Sequence, residues 1–197
     1  MPGGEPLLPF VSGWDDDSTG IEEDPNPREN PEKEILLAAE NGELEVVRNI
    51  IMNNRECIHV KDGDGYTPLH RACYNDHVEI VDILLEHGAD IHARTKDQWQ
   101  PLHSACMWNN TKCVAKLLEH GADVNATSEG GQTPLHLAAG NSESIATLAL
   151  LLTHPLLKPD IRNKSDETAA QIARRSNPNY WIFESVEPCL NVFTHDG

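Results

Sequence analysis

Ten histidines and five cysteines are the side chains of this chain best suited to holding a metal or moving a proton. Their spacing argues against both roles. His70, His103 and His136 follow one another at intervals of 33 residues, so each holds the same place in a repeated unit. Packed helices set equivalent positions roughly 8–10 Å apart, whereas zinc needs ligands ~2.0–2.1 Å from a common centre. The three histidines are therefore expected to hydrogen-bond between adjacent turns. Asp62-Gly-Asp-Gly65 starts like a calcium loop but lacks the further ligands and the closing glutamate, which leaves a hairpin turn. The cysteines form no Cys-x-x-Cys pair, and Cys73 and Cys106, also 33 residues apart, are expected to pack as small apolar residues. No glycine-rich phosphate loop or nucleophile elbow occurs. No catalytic residue, metal site or cofactor is expected, and the chain reads as non-enzymatic.

The histidines belong to a phrase that recurs: Thr67-Pro-Leu-His70, Gln100-Pro-Leu-His103, Thr133-Pro-Leu-His136 and a decayed Thr168-Ala-Ala-Gln171, with steps of 33, 33 and 35 residues. Proline in a first helical turn loses nothing, because its missing N–H would have no intrahelical partner. Thr67 and Thr133 can cap such a helix; Gln100 caps less well. Ile35, Leu36, Ala38 and Ala39 mark the first helix of an opening unit, and Leu44, Val46, Val47, Ile50 and Ile51 its second. Asp76, Asn109 and Ser142 fall at the turns between helices, where left-handed backbone is expected and Ser142 fits least well. Gly88 and Gly121 end second helices. A fixed period in the thirties signals a solenoid of helical pairs.

Charge divides the chain unevenly. Of a formal net −17, a net −8 falls between Met1 and Glu34, where ten acids meet only Arg28 and Lys33. Residues 1–30 are expected to be an acidic, mostly disordered tail, interrupted by the apolar Leu7-Leu-Pro-Phe-Val11 and Trp14. Residues 191–197 form a short C-terminal tail. Such acidity argues against direct nucleic-acid or anionic-membrane binding and is compatible with a basic protein partner. The longest apolar run, Leu148–Leu152, is far short of the ~20 residues needed to span a bilayer. No secretory leader opens the sequence, and a soluble, reduced, intracellular protein is expected, monomeric on its own.

Thr67-Pro-Leu-His-Arg-Ala-Cys73, Gly88-Ala-Asp-Ile91 and Gly121-Ala-Asp-Val-Asn125 make the chain resemble the ankyrin repeat family over residues 31–190. The implied fold is an all-α ankyrin-repeat solenoid of about five units (31–63, 64–96, 97–129, 130–164 and 165–190), the first and last being atypical caps. Trp99-Gln-Pro-Leu-His-Ser-Ala-Cys106 with Trp108-Asn-Asn110, and the ending Ile172-Ala-Arg-Arg175, narrow the resemblance to one small kind of member. That narrower likeness implies a protein of the nucleus, and also of the cytoplasm, connected with transcription regulation and, in animals, with germ-line development including spermatogenesis.

The resemblance also implies where a partner binds. Members of the family present a concave face of turn tips and first helices. The tip position before each phrase is Tyr66, Trp99 and Gln132; the palm positions are Tyr74 with Asn75, Met107 with Trp108, and Gly140 with Asn141. Aromatic residues concentrate in units two and three, and Trp and Tyr dominate interface hot spots. Tyr66, Tyr74, Asn75, Trp99, Met107, Trp108, Gln132 and Asn141 are the expected partner contacts of a protein–protein interaction adaptor. An alternative is an acidic escort for a basic client such as a ribosomal protein or histone. Apolar first-palm residues in successive units, here Tyr74 and Met107, are linked in this family to nuclear entry. Leu117 with Asp123-Val-Asn125 resembles the family's asparagine hydroxylation site, with a turn-tying role for Asn125 as the alternative.

Overall fold

The computed structural model describes residues 29–190. The tail expected over 1–30, with Leu7–Val11 and Trp14, lies outside the described residues apart from Glu29 and Asn30, as does 191–197. Asn30 begins the ordered architecture: its side chain accepts from the Glu32 N–H at 2.9 Å, and Pro31 sits in the first turn of α1, Pro31–Asn41. Gly42, at φ 77°, takes the left-handed conformation that ends α1 and leads into α2, Leu44–Asn53.

Four further pairs follow: α3 Pro68–Tyr74 and α4 Val78–Glu86; α5 Pro101–Met107 and α6 Thr111–Glu119; α7 Pro134–Gly140 and α8 Ile145–Leu152; α9 Ala169–Ser176 and α10 Trp181–Leu190. Helices α1, α3, α5, α7 and α9 pack side by side in one row; α2, α4, α6, α8 and α10 form the other. Among the described residues the hairpin turns make no strand, only an isolated bridge between Arg162 and Thr168. The all-α solenoid expected from the period is the architecture observed.

The core runs along the stack. Leu69, Leu102 and Leu135, with Ala72, Ala105 and Ala138, are buried between units, and Cys73 and Cys106 lie fully buried beside them. A buried leucine contributes roughly 1.5–3 kcal/mol, so stability is spread over many equivalent contacts. Capping follows residue type as expected: Thr67 Oγ1 and Thr133 Oγ1 accept from the N–H groups of His70 and His136, both at 3.4 Å. Gln100 Oε1 is buried and finds no such partner among the described residues.

Turns between helices divide by chemistry. Asp76 and Asn109 both adopt φ 58°, the left-handed geometry expected of them. Ser142 does not. Ten residues separate the starts of α5 and α6, but eleven separate those of α7 and α8. The extra residue lets Asn141 stay extended, and Ser144 Oγ closes the turn by donating to Asn141 O at 2.7 Å. At the hairpin tips the left-handed position is Gly65, Gln98, Gly131 and Asp166. Gly65 is constrained twice: φ is 88°, and a Cβ would stand 3.1 Å from Thr95 Cα. Its N–H donates to Asp62 O at 3.0 Å, so Asp62–Gly65 is the tight turn expected.

Candidate protein-interaction surface

The histidines fasten the surface rather than form it. His70 Nδ1 accepts from the Thr67 N–H at 3.2 Å, and His103 and His136 accept likewise from Gln100 and Thr133. Each Nε2 reaches the next unit's hairpin, meeting Trp99 O at 3.1 Å, Gln132 O at 3.1 Å and Glu167 O at 3.0 Å. A carbonyl only accepts, so Nε2 carries the proton and Nδ1 is free to accept. Burial disfavours the charged ring, holding His70 at about 3 and His103 at about 4 and lowering His136. The ladder is neutral and sets the positions of Trp99 and Gln132.

Five rings and side chains expected on the concave face are partly or largely accessible. Tyr66, Tyr74, Trp99 and Met107 are half-buried, and Trp108 is 40 % exposed. Tyr66 leans edge-on against His70, with centroids 5.6 Å apart, and Trp99 stacks on His103 at 6.2 Å. The tip rings are thus fixed by the ladder beneath them. Tyr74 and Trp108 come from different units and meet at 4.8 Å with their planes tilted by 58°.

Asn75 and Asn141 sit beside this pair but face other duties. Asn75 Nδ2 donates to Glu40 O at 2.9 Å and Asn141 Nδ2 to Met107 O at 3.3 Å, each gripping the preceding unit. Trp108 occupies the same place in unit three and cannot make that bond. In this turn unit three is tied by Asn110 alone, at the place where unit two has His77 bonded to Glu40 O at 2.9 Å; Asn110 donates to Cys73 O at 2.8 Å and Tyr74 O at 2.7 Å. Trp108 has no such duty and lies at the surface. The signal was present in the sequence: a tryptophan where the neighbouring units carry asparagine.

Gln132 is half-buried at its tip; its N–H donates to Ser128 Oγ at 3.1 Å, while Oε1 makes no hydrogen bond among the described residues. Asn125 is committed at both ends of its amide, donating to Leu156 O at 2.7 Å and accepting from the Lys158 N–H at 2.8 Å. It ties unit three to the link before unit five.

One feature of the face escaped the sequence reading. Arg71, buried, donates to Asp62 Oδ2 at 2.7 Å and lies 3.2 Å from Glu40 Oε2. Its guanidinium also stands 5.6 Å from the Tyr66 ring centre. Two carboxylates around one guanidinium leave a net negative charge on the face. Arginine in this place within a repeat signalled nothing without the register that brings Glu40 and Asp62 to it.

Comparison with known proteins agrees with this architecture. Residues 35–128 match a family model described as ankyrin repeats (3 copies), and residues 117–173 one described as ankyrin repeats (many copies). The chain is 57% identical over 162 residues to ankyrin repeat domain-containing protein 49 of Bos taurus, covering 82% of this chain and 68% of the relative. The protein so named from Drosophila melanogaster is 55% identical over 186 residues, covering 94% and 86%. That from Homo sapiens is 57% identical over 162 residues, covering 82% and 68%. With helical pairs, histidine ladder and these matches in accord, the chain belongs to the ankyrin repeat family, whose repeats serve protein–protein interaction.

Proposed function

We propose that this protein is a non-enzymatic adaptor of the nucleus, acting in transcription regulation, that grips its partner through the concave face of units two and three. Tyr66, Tyr74, Trp99, Met107 and Trp108 make the contacts, with Asn75, Gln132 and Asn141 at their edges. The observation that carries this reading is the Tyr74–Trp108 pair: two rings from successive units meet at 4.8 Å, and Trp108 is 40 % exposed. An exposed large ring beside other apolar side chains is the usual mark of a binding surface. Affinity capture from the protein's own cells, wild type beside a Trp99→Ala/Trp108→Ala variant, would identify the partner by mass spectrometry as the protein absent from the variant's catch.

Nuclear residence rests on the Tyr74 and Met107 palm pair and on the likeness to the protein 49 relatives. A tagged Tyr74→Ser/Met107→Ser chain is expected to stay in the cytoplasm. Unchanged nuclear accumulation would remove this part of the proposal. The acidity of residues 1–34, net −8, favours a second reading, escort of a basic client through the tail.

A further inference from the structure

We infer that the apolar stretch Leu7–Trp14 of this chain seats on the palm of unit two, against Tyr66 and Tyr74, and that a partner must displace it to grip the concave face. The consequence for the partner rests on the concave-face reading above; the seat itself does not. Tyr66, Arg71 and Tyr74 each hold a further interaction, beyond those with His70, Asp62, Glu40 and Trp108. So does Lys33, the one basic side chain of α1, which packs beside α3 in the palm row. Two phenol rings and a guanidinium take an apolar or aromatic cover, whereas an ammonium takes a carboxylate. One length of chain carries both, in the order required. Leu7-Leu-Pro-Phe-Val11 and Trp14 are followed directly by Asp15-Asp-Asp17, and the chain then runs on to Asn30, where unit one begins. With the apolar residues on unit two, the aspartates fall back toward unit one and Lys33.

The reach fits. Fifteen residues, 15–29, separate Trp14 from the capping residue Asn30. From Asn30 to Tyr74 is one helix packing distance across the row and the length of α3 along it, ~10 Å each. A coil of fifteen residues averages roughly 20 Å end to end, so such a tether is neither too short for the palm nor long enough to dilute its cargo. Linkers of matching span hold a ligand at an effective concentration of about 1 mM. A seat with an intrinsic Kd of only ~100 µM is then filled in about nine chains of ten, and a partner's apparent affinity falls about tenfold. Acidity alone would not hold the segment there, because Asp62 and Glu40 already leave the Arg71 site net negative. The attraction comes from Leu7, Leu8, Phe10, Val11 and Trp14, crowded into eight residues of an otherwise acidic segment. The direction of the chain keeps the aspartates off that site.

Photo-crosslinking of the full chain tests the seat. Trp14→benzoylphenylalanine, irradiated in dilute solution and mapped by mass spectrometry, should link within one chain to residues 66–74. Links to the outer helices α2, α4 or α6, links between chains, or no link at all would overturn the inference. A fluorescent synthetic peptide of residues 5–18 provides the same test in trans. It should bind the full chain Phe10→Ser/Trp14→Ser at least about tenfold more tightly than wild type, whose own stretch fills the seat. Tyr74→Ser added to that variant should weaken the peptide at least about tenfold, with the fold checked by circular dichroism.

Equal binding of the peptide to wild type and Phe10→Ser/Trp14→Ser would overturn the inference, as would full affinity after Tyr74→Ser. The partner identified by affinity capture separates the two levels. Phe10→Ser/Trp14→Ser should bind it more tightly than wild type, by about tenfold. Equal affinity, with the link from position 14 intact, would overturn displacement alone. A partner retained by Trp99→Ala/Trp108→Ala would overturn the concave reading and leave the seat standing.

Discussion

Three buried imidazoles give the stack an acid limit. His70, held at about 3, and His103, at about 4, stay neutral while an unfolded chain's histidines, with pKa about 6.5, take up protons. The contribution of the ladder is therefore complete above about pH 6.5 and declines as pH falls toward the folded values, because the unfolded state binds more protons. Gln171 shows how to remove this sensitivity: it accepts from the Thr168 N–H at 2.8 Å in the place that histidine holds elsewhere. His103→Gln should abolish about 1–2 kcal/mol of the stability lost between about pH 7 and pH 5, read from urea midpoints at each pH. Gln100→Thr would supply the missing cap and add about 0.5–1 kcal/mol by the same assay. Caps were legible in the sequence because they depend on neighbours three residues away. Arg71 was not, since its partners stand nine and thirty-one residues before it. Arg71→Met leaves Asp62 and Glu40 facing each other uncompensated and should cost about 3 kcal/mol.

Successive units are locked by asparagines as much as by leucines. Asn75, Asn110, Asn125 and Asn141 each reach a backbone carbonyl of another unit or its link. Asn125→Ala loses a donor and an acceptor at the irregular junction after α8, and should lower stability by about 1–2 kcal/mol in denaturant unfolding. The regular pairs α3–α4 and α5–α6 were readable because Pro, Leu, His and Gly recur at fixed spacing. The turn after α7 was not. One added residue released Ser142 from the left-handed position, and Ser144 closed the turn with its hydroxyl. Insertion changes which side chain does a job while leaving composition unaltered. Trp108, by contrast, was legible: an aromatic ring stands where Asn75 and Asn141 grip the preceding unit.

At the scale of the molecule, stability and recognition are separated. The ladder and the apolar seam hold the units, while the partly exposed rings of units two and three form the proposed recognition surface. Salt distinguishes the two readings of how a partner is held. Capture led by the acidic tail should weaken steeply with ionic strength and on removal of residues 1–28, whereas capture led by the aromatic face should survive both. The most direct measurement is the partner's affinity for Trp99→Ala/Trp108→Ala beside that variant's melting temperature. The account predicts a loss of at least about thirtyfold in affinity, the weight of a hot spot worth ~2 kcal/mol or more, with a melting shift of only a few degrees. Wild-type affinity in the double variant, or a loss explained by its unfolding, would contradict it.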